Sequence, residues 1–95
     1  MIQHFKHKGL RELFATGNSS RVPSTLRKRC TAILDFLDSV THPLAMRVRR
    51  GWRFHSYKGD RSGTYGVDVN GPWRITFTWD MEAGGARDVN LEQEH

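Results

Sequence analysis

Cysteine is nearly absent: Cys30 stands alone, so no disulfide can form within the chain. That scarcity fits a reducing compartment and makes the cytoplasm the expected location. No apolar run is long enough to cross a membrane, and Met1–Gly9, polar and carrying Lys6 and Lys8, does not read as a signal peptide. His4, His7, His42, His55 and His95 are scattered, and one cysteine supplies no zinc-binding pair. Gly-rich phosphate loops and Ser/His/Asp-type motifs are also missing, which argues against nucleotide hydrolysis and serine-type acyl transfer. Neither a metal nor an organic cofactor is expected.

Acidic residues are scarce where basic ones are dense. Residues 1–61 carry 13 Lys/Arg against 4 Asp/Glu, a balance of +9, whereas residues 62–95 carry 2 against 6, a balance of −4. A one-sided basic field favours a polyanion, and RNA, DNA or an acidic protein segment all qualify. A solvated surface that only aids solubility is the alternative reading. With 95 residues the chain makes a single domain spanning 1–95, and three Trp, two Tyr and five Phe supply bulky core side chains.

Hydrophobic spacing then sets the order of elements. Ile2–Phe5 reads as a short first strand. Leu10, Leu13 and Phe14 recur at helical spacing until Gly17, and Asn18–Arg21 is a polar connection. Pro23 suits a first helical position, with Ser24 or Thr25 as a nearby cap. Leu26, Cys30, Ile33, Leu34, Leu37 and Val40 form one apolar stripe that Pro43 brings to a stop.

From Trp52 the period becomes two. Trp52 and Phe54 alternate with Arg53 and His55, and Gly59–Gly63 reads as a turn. Tyr65, Val67 and Val69 form a second alternating run. Asn70-Gly71-Pro72 is a turn; Trp73, Ile75, Phe77 and Trp79 follow, then a Glu82–Gly85 turn and a last strand around Val89 and Leu91. The fold class is α+β: a strand, two helices, then an antiparallel sheet with the helices on one face. If Trp73, Ile75 and Phe77 face the helices, Arg74 projects from the other side, as does His55 opposite Phe54.

The densest basic cluster is Arg47, Arg49, Arg50, Arg53, His55, Lys58 and Arg61, interleaved with Trp52, Phe54 and Tyr57. Such a pattern pairs phosphate contacts with surfaces for base stacking, although a charged edge strand shows the same composition. Arg49, Arg50, Arg53, Tyr57 and Arg61 are the candidate RNA contacts. RNA cleavage needs proton transfer and stabilisation of charge growing on phosphate oxygens. His55 and His95 can exchange protons near neutral pH, and Lys58 and Arg74 can hold a phosphate. Cys30, on the apolar stripe, reads as a buried inert thiol.

These residues carry a family resemblance. The blocks Phe5-Lys6-His7-Lys8-Gly9-Leu10, Trp52-Arg53-Phe54-His55-Ser56-Tyr57-Lys58-Gly59-Asp60 and Val69-Asn70-Gly71-Pro72-Trp73-Arg74-Ile75-Thr76-Phe77, with His95, resemble the HigB-type branch of the RelE/ParE toxin superfamily. The resemblance spans nearly the whole chain. It implies a microbial-ribonuclease-like fold, ribosome-dependent cleavage of messenger RNA in the A site of the 70S ribosome, and a HigA-type helix-turn-helix antitoxin. Operator DNA would be met only through that antitoxin. By motif position, His55, Lys58, Arg74 and His95 correspond to the active-site positions. Family members commonly end in an acidic residue, an aromatic and histidine, whereas this sequence has Gln93-Glu94-His95, which makes Gln93 and Glu94 accessory candidates. A gyrase-poisoning toxin, or a weakened binding module acting with its antitoxin as a corepressor, are the competing readings.

Overall fold

A computed structural model describes residues 1–94; His95 lies outside the described residues. Helix α1 covers Lys8–Thr16. His7 opens it, its Nδ1 accepting the Leu10 N–H at 3.1 Å, and Gly17 closes it in the left-handed region at φ 81°. Helix α2 covers Arg27–Ser39 and buries Cys30, Ile33, Leu34 and Leu37 completely.

Four strands follow: β1 (His55–Ser56), β2 (Thr64–Asn70), β3 (Trp73–Asp80) and β4 (Gly85–Gln93). They form an antiparallel meander in the order β1-β2-β3-β4. Val67, Val69, Ile75, Phe77, Val89 and Leu91 share one core with the α2 stripe, so the helices cover one face and the fold is α+β. Between β2 and β3, Gly71 at φ 56° followed by Pro72 gives the two φ signs of a type II′ hairpin, so the proline closes the turn instead of opposing it. No helix among the described residues is long and apolar enough to cross a membrane.

Three expected elements differ. Ile2–Phe5 is no strand: Phe5 makes one isolated parallel bridge to Val89, flanked by Gln3 N–H to Ala86 O (2.7 Å) and Lys6 N–H to Val89 O (2.8 Å). The chain must turn at His7 into α1, which leaves too little length for a ladder. Pro23 is not helical either. It is extended ahead of a 3₁₀ turn over Ser24–Leu26, and Leu26 precedes α2 without any side-chain cap from Ser24 or Thr25. Those two residues are used up in the turn, where the Leu26 N–H donates to Pro23 O.

The third difference lies at Trp52. It belongs to a 3₁₀ turn over Arg50–Trp52, and Arg53 follows at φ 50°, so of the alternation from Trp52 to His55 only His55 enters a strand, β1. The indole packs edge-on against Phe36 of α2, with centroids 5.7 Å apart. Burying that large ring on the helix layer outweighs extending a pleated edge.

Burial raises the Cys30 thiol to about 11, so at neutral pH it is a protonated core side chain. An aromatic disulfide reagent should therefore label Cys30 only as fast as the domain opens. Ile33→Ala, at a fully buried site, should lower stability by about 2–4 kcal/mol in urea unfolding and speed that labelling in parallel. Rapid labelling of the folded wild-type chain would contradict this packing.

Candidate active site

Pleating sorts β2, β3 and β4 into two chemistries. Residues paired across the ladder share a face, and the register places Asp68 beside Arg74 and Arg74 beside Glu92. One step along, Gly66, Thr76 and Asn90 form a second row, with His55 of β1 opposite Gly66. Because Ile75 and Phe77 fill the core, this whole set lies on the helix-free face.

Asp68 is the hub. Its carboxylate meets Arg74 Nε at 3.2 Å, Arg53 Nε at 3.6 Å and His55 Nε2 at 3.7 Å. The His55–Asp68 distance is too long for a hydrogen bond. His55 Nε2 and Asp68 Oδ1 are both sequestered, with no hydrogen-bond partner among the described residues. The Arg74 charge at 3.2 Å balances Asp68 Oδ1 in place of a hydrogen bond, and His55 Nε2 faces the same oxygen at 3.7 Å.

Glu94 holds the other side of the site. Its Oε2 lies 3.2 Å from Arg74 Nε, and Tyr57 donates its hydroxyl to Oε1. Burial first, then the Glu94 hydrogen bond, pushes the Tyr57 phenol above its ordinary value, with Arg74 opposing. The phenol is thus a neutral donor at physiological pH. Its ring lies over Gly66, where an added Cβ would come within 3.0 Å of the Tyr57 ring. Glycine is what lets an aromatic ring rest directly on the sheet.

Arg61 extends the cluster. Its guanidinium stacks on the Tyr57 ring at 4.6 Å and donates to Glu92 Oε2 at 2.7 Å. Thr76 donates its hydroxyl to the same oxygen. Burial raises the Glu92 carboxyl, but the hydrogen bonds from Arg61 and Thr76, with the charges of Arg61 and Lys6, bring it below its ordinary value of 4.5.

The structure brings some of the expected site residues together and leaves others apart. His55, Arg74, Arg53, Tyr57, Arg61 and Glu94 gather on the helix-free face. Lys58 stands exposed in the loop after β1 and makes no ion pair among the described residues. Arg49 lies elsewhere, stacked over Trp52 (4.6 Å) and Phe36 (5.6 Å), and with Arg50 it borders a groove beside α2. Gln93 pairs with Trp73 and is exposed, one residue out of phase with Glu92 and Glu94, so Glu94 alone of the two accessory candidates reaches the site. His95 falls outside the described residues.

Asp68, Glu92 and Thr76 were not among the sequence candidates. Their signal was available: Asp68 alternates with Val67 and Val69, and Glu92 is out of phase with Leu91, so pleating alone puts both beside Arg74.

The fold agrees with the comparisons to known proteins. The family model describing the RelE-like toxin of the type II toxin-antitoxin system HigB matches residues 3–93. Over 95 residues, the full length of both chains, the sequence is 38% identical to the endoribonuclease HigB of Proteus vulgaris. The chain belongs to the HigB-like family of RelE-like toxins.

The Glu92 contacts carry a pH signature. A carboxyl held below its unfolded value stabilises the fold above that value, and the contribution is lost as pH falls through the folded one. Glu92→Gln should therefore lower the thermal midpoint at neutral pH, with the difference from wild type shrinking as pH falls below the ordinary glutamate value. A difference that persists unchanged in acid would mean the ion pair does not supply it.

Proposed function

We propose that this chain is the toxin of a type II toxin–antitoxin pair and acts as an endoribonuclease on messenger RNA in the ribosomal A site. The observation that carries the reading is the convergence of His55 and Arg74 on Asp68 across the helix-free face, beside Tyr57 and Glu94. Full-length similarity to a protein named as an endoribonuclease supports it.

The chemistry uses the RNA itself as nucleophile. The 2′-hydroxyl attacks the adjacent phosphorus, the 5′-oxygen of the next nucleotide leaves with a proton, and a 2′,3′-cyclic phosphate remains. Proton transfer falls to His55, with His95 as the second group by motif position. A guanidinium has five N–H donors, so the Nε contacts of Arg74 to Asp68 and Glu94 leave others for the phosphate oxygens. Those carboxylates fix the guanidinium plane before substrate arrives, and preorganised charge needs no rearrangement at the transition state. Lys58, exposed on its long side chain in the loop after β1, adds a second cation to the scissile phosphate. No step in this scheme calls on a metal ion. Arg53 and Arg61 suit flanking phosphates, and a HigA-type antitoxin would restrain the activity.

One observation favours a second reading. Asp68 and Glu94 both engage Arg74 Nε and balance its charge before any phosphate arrives, which suits a weakened module that works with its antitoxin in repression.

Tightly controlled expression, with RNA ends mapped in cells and on purified ribosomes programmed with messenger RNA, separates the two. Wild type should produce ends within translated codons. Arg74→Ala should reduce cleavage by about 10²–10³-fold, the effect of removing one donor that stabilises transition-state charge, while unfolding at an unchanged temperature. Intact messages in every wild-type sample would favour the repression module, and DNA breaks instead of RNA ends would favour a gyrase poison. Full activity in Arg74→Ala would remove the site proposed above.

A further inference from the structure

The cleavage scheme leaves Arg49 and Arg50 without a task, because both lie on the α2 side of the sheet. Asp68 and Val69 are neighbours on β2 and point to opposite faces, so a groove lined by Val69 opens away from the Asp68 cluster. We propose that this groove, walled by Lys28, Arg29, Arg49 and Arg50, binds the phosphodiester backbone of a folded RNA, apart from the strand that is cut. The proposal rests on the endoribonuclease reading only for the choice of RNA over DNA, and it adds a second, non-catalytic contact.

Shape comes first. Two hollows, of about 540 and 460 Å³, have Arg29, Arg49 and Trp52 in common, so they run together as one open track. Helical spacing builds one wall: Lys28, Arg29 and Ala32 share a face of α2, with Thr25 of the preceding 3₁₀ turn in line. Arg49 and Arg50 form the other wall. The Arg49 guanidinium lies over Trp52 at 4.6 Å and Phe36 at 5.6 Å, which orients it before any ligand arrives. A track of this form fits an extended polyanion better than a compact ligand.

Charge sets the sign of the partner. Among the described residues, every charged side chain lining the track is a cation, and no carboxylate borders it. None of the four cations makes an ion pair among the described residues. On the helix-free face, by contrast, Arg53, Arg61 and Arg74 each meet a carboxylate. Folding does not explain Lys28 and Arg29 either. They sit in the first turn of α2, which has no acidic residue, and positive charge there opposes the helix dipole. Repulsion among such unpaired cations is relieved when phosphates enter, and the counterions released add to the gain.

The lining favours backbone over bases. Trp52 is only 5% exposed beneath Arg49, so it offers no free ring for stacking. Thr25 and Asn70 are exposed hydrogen-bonding groups that suit phosphate and ribose oxygens. Contacts of this kind position a nucleic acid without reading its sequence. An acidic protein segment would need an apolar anchor to bind well. Ala32 and Val48 are the exposed apolar side chains of the lining, and both are small.

The test is a binding titration that does not depend on cleavage. The full chain is added to a fluorescein-labelled RNA hairpin at several salt concentrations, and its thermal midpoint is read alongside. Lys28→Glu combined with Arg29→Glu should weaken binding about tenfold or more and flatten the salt dependence by about two in logarithmic slope. The thermal midpoint of that variant should hold or rise, since carboxylates suit the start of a helix. Ala32→Glu, which keeps every cation but puts a carboxylate in the track, should weaken binding as well. Lys8→Glu combined with Arg11→Glu, exposed on α1 and equal in net charge to the α2 pair, should stay close to wild type. Equal losses in the α1 and α2 pairs, or no loss in the α2 variants, would overturn the proposal. So would tighter binding of poly-glutamate than of the hairpin, which would point to an acidic protein partner, or tighter binding of the matching DNA hairpin. Groove-dependent RNA binding by a chain that cuts no message would instead overturn the endoribonuclease reading alone.

Discussion

Everything functional in this domain follows from one constraint: β2, β3 and β4 must bury one set of alternate side chains against α2. Val67, Ile75, Phe77 and Val89 are fully or almost fully shielded from solvent with Cys30, Ile33 and Leu34. Transferring that apolar surface out of water is the main stabilising term for a domain of this size. Once those residues face inward, the pleat leaves Asp68, Arg74 and Glu92 no other side to occupy. A one-residue slip in pairing would send the guanidinium into the core. The stability of the sheet and the assembly of the candidate site are therefore the same structural event.

On the helix-free face the arginines are matched by carboxylates. Asp68 sits among Arg53, His55 and Arg74, Glu92 binds Arg61, and Glu94 bridges Arg74 and Tyr57. Ion pairs of this partly exposed kind add little stability, so their main consequence is orientation. Cations held in place by carboxylates keep their direction without substrate, and a guanidinium still has donors to spare. Where the sequence shows a single basic field, the molecule thus has two regions. Arg49 and Arg50 contribute to a groove beside α2, with Arg49 laid on Trp52 and Phe36, apart from the carboxylate-laced face.

Periodicity made most of the fold legible. The α2 stripe from Leu26 to Leu37, the β2 and β3 alternations and the turn at Asn70-Gly71-Pro72 all reflect local rules of spacing and backbone freedom. The same alternation placed Arg74 on the helix-free side. What failed were the segments where a distant partner overrode the local pattern. Trp52 followed Phe36 into a 3₁₀ turn, and Ile2–Phe5 gave up a strand because α1 begins at Lys8. Asp68 and Glu92 escaped notice because an acidic residue on a basic surface looks like dilution until its neighbours across the ladder are known.

The sequence by itself determined the α+β class, the helix and strand faces, and the family. Those depend on side-chain spacing along one chain, which a linear reading captures. Tertiary structure alone decided which charges meet: Asp68 with His55 and Arg74, Glu94 with Tyr57, Arg61 on the Tyr57 ring. Those contacts depend on strand register and on the bulge at Asp88, set by pairing between segments far apart in the chain. Coulomb and hydrogen-bond energies change within an ångström, so only a fixed register can turn a list of ionisable residues into a site.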